Sequence, residues 1–182
     1  RGTEGVQFEY GSGSCEVCGN PISVYYPNDY GSRTTIEGNG WFYKMFEDCN
    51  VYSAKNLIMP PTTDGGCCQD MFHGNRNLRV APKLPATVVA DFAYRYMFTG
   101  CWSLKEAPDL PATVIGQEAY NGMFMACRSI TKIPSVLPAE HVPYRGYYEM
   151  FAGCEALEEG TEIKATSFGT LGYGTGLIPQ MG

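Results

Sequence analysis

Apolar and polar positions along this chain recur with a long period, not with the short rhythm of a lone strand or helix. The pair Met-Phe falls at Met45-Phe46, Met71-Phe72, Met97-Phe98, Met123-Phe124 and Met150-Phe151, so the Phe spacings are 26, 26, 26 and 27. Three residues after each Phe stand Cys49, Asn75, Cys101, Cys127 and Cys154, and three further on Tyr52, Leu78, Leu104, Ile130 and Leu157. Three residues before each Met stand Phe42, Cys68, Tyr94, Tyr120 and Tyr147. The middle units continue with Ala81-Pro82, Ala107-Pro108 and Ile133-Pro134, then Leu84-Pro85-Ala86-Thr87, Leu110-Pro111-Ala112-Thr113 and, one residue late, Leu137-Pro138-Ala139. The fifth unit keeps Ile163 and Ala165-Thr166 but has Lys164 in place of Pro.

A unit of this size is too small to bury its own apolar side chains, whereas stacked units bury each other's and set like residues in columns. The two Leu columns and the Ala column are expected to face inward. The Met-Phe column and the aromatic column before it form the opposite wall of the core, each large aromatic burying roughly 150–250 Å². The Cys/Asn column marks a tight inward bend, where Asn caps backbone groups and Cys packs as a small, weakly hydrogen-bonding group. Pro after the second Leu ends a strand, because it cannot donate to a ladder. Residues 90–98 have the composition of a short helical turn. Residues 6–10 and 22–25 alternate and predict strands.

The stretches MFTGCWSLKEAPDLPAT and MFMACRSITKIPSVLPAE resemble the BspA-like leucine-rich repeats of Bacteroidetes surface proteins. The resemblance covers residues 41–167, about 70% of the chain. It implies an α/β fold: a right-handed leucine-rich-repeat solenoid with short parallel strands on one face and loops, turns and short helices on the other. It implies also a secreted or cell-surface binding or adhesion protein; similar repeats occur in gut bacteriophage proteins, so a structural or receptor-binding part of a virion is the alternative. The first unit departs from the pattern, with an extra residue in its strand and Tyr52 for Leu; the fifth lacks its Pro, and both read as distorted end repeats. Residues 1–40 then read as an N-terminal β cap over the first coil, 41–167 as five repeat units, and 168–182 as a C-terminal cap or linker. Leu171, Tyr173, Leu177 and Ile178 favour a cap.

Composition narrows the function. Hydrophobic residues make up 44% of the chain, which argues against disorder, while 22 Gly and 12 Pro leave little room for long helices. A net charge of −6 disfavours nucleic acid as a partner. No apolar run approaches the length of a membrane span. The chain begins at Arg1 and not Met, which reads as a mature or trimmed product, and the missing leader carries no information. Charge is uneven: residues 1–72 carry net −5, residues 73–137 net +3 and residues 138–182 net −4. This is either a basic middle between acidic ends or scatter over a solvated surface.

The chemistry candidates are weak. Cys15 and Cys18 form a C-x-x-C that reads as half a zinc site, a redox pair, a local disulfide or two free thiols; tetrahedral zinc needs two more ligands, and only His73 and His141 are at hand. A thioredoxin-like role needs a βαβ context that is missing. Cys67-Cys68 is a vicinal pair whose second member sits in the aromatic column. Column thiols lie about 4.8 Å apart, but they point the same way and are expected to stay reduced. No triad or carboxylate pair can be argued, so no catalytic residue, metal or cofactor is expected.

The exposed repeat positions are more informative. After the Cys/Asn column come Arg76, Trp102, Arg128 and Glu155. One past the Leu column come Arg79, Lys105, Thr131 and Glu158, followed by Val80, Glu106, Lys132 and Glu159. Between Pro and the second Leu lie Lys83 and Asp109, with Ser135 nearby. A Trp between two Arg has the composition of a binding hot spot; the competing reading folds Trp102 over its neighbours as a satellite of the core. The expected binding face is therefore Arg76, Arg79, Lys83, Trp102, Lys105, Asp109, Arg128 and Lys132, with a protein or glycan as ligand and self-association as a further mode.

Overall fold

A computed structural model describes residues 7–11, 13–33, 38–157 and 162–170; for residues 7–11 only the backbone is described. Glu158, Glu159 and the apolar residues of 171–182 lie outside the described residues.

The chain opens with strand β1 (Gln7–Gly11), which pairs antiparallel with β2 (Ser14–Gly19). Strand β2 then runs parallel to β3 (Val51–Leu57), which belongs to the first repeat unit. The hairpin thereby occupies the edge of β3 that faces away from the rest of the stack, where an open ladder would otherwise invite pairing with another chain. Glu16 fastens it: its carboxylate accepts from Ser53 Oγ and Asn56 Nδ2, both at 3.2 Å. Residues 22–25 do not form the expected strand. Pro21–Val24 is a 3-10 helix, because Pro21 presets the first position and the Asn20 side chain accepts the Ile22 N–H at 3.0 Å.

From Trp41 onward, residues one unit apart are spatial neighbours. Phe46, Phe72, Phe98, Phe124 and Phe151 form one stack, with ring centroids 5.2, 5.6, 5.5 and 5.4 Å apart. Tyr94, Tyr120 and Tyr147 form a second, with both steps 5.8 Å. All five Phe rings and these three Tyr rings are buried, as are Leu78, Leu104 and Ile130. In the first unit Val51, not Tyr52, is buried, and Ser53 bridges Val80 instead of Arg79, as the extra residue there requires.

The expected helical turn at residues 90–98 is a ladder of turns, and no α-helix occurs among the described residues. Alternate N–H groups close turns three residues back, as Ala93 to Ala90, Arg95 to Phe92 and Met97 to Tyr94 do. The N–H groups between them reach the next coil: Phe92 to Gln117, Tyr94 to Ala119, Tyr96 to Asn121 and Phe98 to Met123. A helix would have closed every bond within its own segment. Here every fourth residue adopts positive φ instead: Phe92 (59°), Tyr96 (53°) and Gly100 (73°) in one coil, Glu118 (51°), Gly122 (58°) and Ala126 (59°) in the next.

Gly122 is required at its site, since a Cβ there would lie 2.3 Å from the Tyr96 ring. Ala126 carries the left-handed strain without need, as its outward neighbour in the stack is Gly153. Ala126→Gly is expected to raise stability by about 0.5–1 kcal/mol despite glycine's looser unfolded chain. A lower urea midpoint for that variant would contradict the turn geometry.

Paired strands are short. Strand β4 (Val88–Val89) pairs parallel with β5 (Val114–Ile115), β6 (Val136–Leu137) with β8 (Glu162–Ile163), and β7 (His141–Val142) with β9 (Ser167–Phe168). On the expected binding face the ladder shrinks to single bridges, Ser53 with Val80 and Glu106 with Lys132. The prolines that follow, at 82, 85, 108 and 111, supply no N–H to extend it.

Candidate functional site

The repeat places Arg76, Trp102 and Arg128 in one row. The Arg76 guanidinium carbon lies 4.2 Å from the Trp102 ring centroid and that of Arg128 lies 4.9 Å from it, so a cation flanks the indole on either side. Trp102 remains 36% exposed, and Arg128 Nε continues the row to Glu155 Oε1 at 3.4 Å. Backbone bonds hold the row in step: Ser103 N–H donates to Arg76 C=O and Ala156 N–H to Arg128 C=O, at 3.1 and 3.2 Å. Trp102 is thus a side chain at the surface, ordered by cations that contribute about 0.5–1 kcal/mol each at exposed sites.

Beside this row lies a groove of about 820 Å³, walled by residues 79–85 of one coil and residues from 105–111 of the next, with Lys132 and Ile133 at its rim. Five of the eight expected face residues line it: Arg79, Lys83, Lys105, Asp109 and Lys132. A smaller hollow lined by Arg79, Ser103, Lys105 and Ser129 shares Arg79 and Lys105 with the groove. The structure therefore brings all eight onto one surface, as a row of three and a groove of five. Their charges are not equally balanced. Lys132 Nζ lies 3.4 Å from Glu106 Oε1. Arg76, Arg79, Lys83 and Lys105 meet no carboxylate within ion-pair distance among the described residues.

The groove has a cause in the backbone. Ala54 N–H bonds Val80 C=O between the first and second coils, and Ala107 N–H bonds Lys132 C=O between the third and fourth, both at 2.9 Å. Among the described residues no backbone hydrogen bond joins 79–85 to 105–111. The coils part there, and the cations stand on the two walls.

No protein-family model matches the chain, and no curated protein or solved structure is significantly similar to it.

The column thiols from the third unit onward are structural, whereas Cys49 in the distorted first unit is exposed and not packed in the bend. Cys101, Cys127 and Cys154 are buried, and each Sγ donates to a Phe carbonyl of the preceding coil, at 3.2, 3.1 and 3.2 Å. Burial pushes the Cys101 and Cys127 thiols far up and that of Cys154 to about 12, so all three stay protonated at neutral pH. Asn75 fills the same column with stronger bonds: its Nδ2 donates to the Phe46 and Phe72 carbonyls, and its Oδ1 accepts the Val51 N–H at 3.1 Å. Cys15, buried, and Cys18, half-buried, stand three positions apart on β2, on opposite faces of the strand. Cys67 and Cys68 are buried with their sulfurs 3.7 Å apart, and burial holds Cys68 protonated. His73 pairs with Asp70 at 3.0 Å and His141 with Ser167 at 2.6 Å. Among the described residues no three metal-binding side chains converge.

One surface feature went unread in the sequence. On the turn side Arg95 lies 4.9 Å from the Tyr96 ring and 3.3 Å from Glu118 Oε2, and Arg145 sits between the rings of Tyr144 and Tyr148 at 5.2 and 4.9 Å. Its signal was an Arg among aromatics four residues apart, at 92 and 96 and at 144 and 148. That pattern gains meaning only once the turn period of four is known.

Proposed function

We propose that this chain is a leucine-rich-repeat solenoid that serves as a non-enzymatic binding or adhesion module, with a protein as its partner. The partner is recognised through the face that carries Arg76, Trp102 and Arg128. The observation that carries this reading is the cation-flanked indole beside the open groove. Trp and Arg are the side chains enriched at hot spots, and a ring already held in place loses little further freedom on binding. A protein partner fits better than a glycan, because two guanidinium groups already stand over the indole, at 4.2 and 4.9 Å from its centroid, where a sugar ring would stack. Placement of the protein outside the cell or at its surface follows from the resemblance of the repeats alone. No helix of the described residues is long and apolar enough to cross a membrane.

The test is affinity capture from host and gut extracts with the chain as bait, followed by titration of the captured protein. Replacing Trp102 and Arg128 together by Ala is expected to weaken that binding by about 2 kcal/mol, roughly thirtyfold. Stability should fall by no more than about 1–2 kcal/mol, the worth of the exposed cation–ring contacts. Unchanged affinity would remove the row from the binding site. A collapse of the melting transition would make Trp102 a core residue.

A further inference from the structure

The groove is chemically distinct from the rest of the surface. The chain as a whole is acidic, at net −6. Yet the groove carries four cations, Arg79, Lys83, Lys105 and Lys132, against two carboxylates, Glu106 and Asp109. Glu106 is already paired with Lys132. Arg79 and Lys105 stand in equivalent places on the two walls, one coil apart, so their like charges reinforce one another, and neither is within ion-pair distance of a carboxylate among the described residues. Their mutual repulsion is relieved by an anion between them.

The backbone points to the same kind of ligand. The N–H groups of Ala81, Lys83, Lys105 and Glu106 make no hydrogen bond within the described residues. Both walls thus offer donors for carbonyl and carboxylate oxygens. The accessible lining between the charges is apolar, with Val80, Pro85, Pro108, Pro111 and Ile133 exposed or half-buried. A purely ionic ligand would leave that surface wet. A chain that alternates acidic with apolar side chains satisfies the cations, the donors and the apolar lining together.

Resting on the reading of this face as a binding face, we propose that the groove takes an extended acidic peptide, a segment of a partner protein in which carboxylates alternate with apolar residues. The walls formed by 79–85 and 105–111 run side by side. An extended segment of roughly 6–7 residues, at about 3.3 Å each, matches their length. The peptide lies along the groove with its carboxylates on Arg79, Lys105 and Lys83, and its apolar side chains on the surface of Val80 and the exposed prolines. Trp102, next in the chain to Ser103 of the smaller hollow, contacts the partner outside the peptide.

The experiment uses the full chain and fluorescein-labelled peptides of about eight residues, one alternating glutamate with valine and one alternating glutamine with valine, read by anisotropy. The glutamate peptide is expected to bind saturably and to weaken as ionic strength rises, with the glutamine peptide at least about tenfold weaker. The double variant Arg79→Glu, Lys105→Glu should lose at least about tenfold in affinity for the glutamate peptide while its melting midpoint holds. Lys83→Glu, on the exposed part of one wall, should show the same loss and serves if the double variant fails to fold. Equal binding of both peptides overturns the proposal, as does the absence of saturable binding. So does binding of heparin without binding of the peptide, which assigns the groove to an anionic glycan. Self-association seen in sedimentation that the Arg79→Glu, Lys105→Glu variant loses, without binding of the peptide, assigns it to a second copy of the chain. If a captured partner still depends on Trp102 and Arg128 while the glutamate peptide does not bind, the peptide groove falls and the binding face stands.

Discussion

Replacing Phe98 by alanine is expected to lower stability by roughly 3–5 kcal/mol, measured as a fall in the urea midpoint. Phe98 is wholly buried and is the middle ring of the five, 5.6 Å from Phe72 and 5.5 Å from Phe124. Its removal loses the transfer free energy of a large side chain, leaves a cavity, and breaks two ring contacts that add about 0.5–1.5 kcal/mol each beyond burial. The coils on either side are joined by backbone bonds and do not close the gap. Truncating Phe151, whose ring stacks on Phe124 alone among the described aromatics, should cost less. A midpoint for Phe98→Ala equal to the wild type would mean that the rings are not the core of the stack.

The second large effect lies at Asn75. Its side chain serves three backbone groups in two coils, the carbonyls of Phe46 and Phe72 and the N–H of Val51, at a site with no exposure. Asn75→Ala leaves the buried Val51 N–H without its acceptor and removes one donor each from the Phe46 and Phe72 carbonyls, which keep the Cys49 N–H and the Cys101 thiol, and is expected to cost about 2–3 kcal/mol. Asn75→Cys is the informative comparison. Cys101, Cys127 and Cys154 show that a thiol in this column donates to a carbonyl of the coil before it. The Cys variant should therefore recover part of the loss, yet stay about 1 kcal/mol or more below the wild type, because sulfur is a poor acceptor for the Val51 N–H. Urea melts of the three proteins decide the matter. Equal midpoints for the Ala and Cys variants would show that the thiol contacts contribute nothing.

The Phe and Cys/Asn columns can be read from the sequence by counting. A ladder of like residues is legible because stacked coils carry each residue to the same place one unit later. The row Arg76, Trp102, Arg128 and Glu155 could be written down for the same reason, and the charge of each member was known. Whether Trp102 lay over the core or stood between the two guanidinium groups was open, since spacing fixes which residues meet and not which way an indole turns. The groove was less legible still. Arg79, Lys83, Lys105, Asp109 and Lys132 were recognisable as exposed positions, but the lack of backbone bonds between 79–85 and 105–111, in coils joined elsewhere, cannot be read from the residue pattern.

By itself the sequence determined the period, the inward columns and the side chains that share a surface. All three follow from chain length per unit and from the burial of apolar residues. The tertiary structure decided the backbone between them. Residues 90–98 carry apolar pairs every four residues, close enough to the helical 3.6 to read as a turn of helix. Only the neighbouring coil, offering a carbonyl to every second N–H, makes the turn ladder with its left-handed residues at Phe92 and Tyr96 the better bonded state. A bond to the next coil depends on how the coils stack, and one unit read alone does not contain that information.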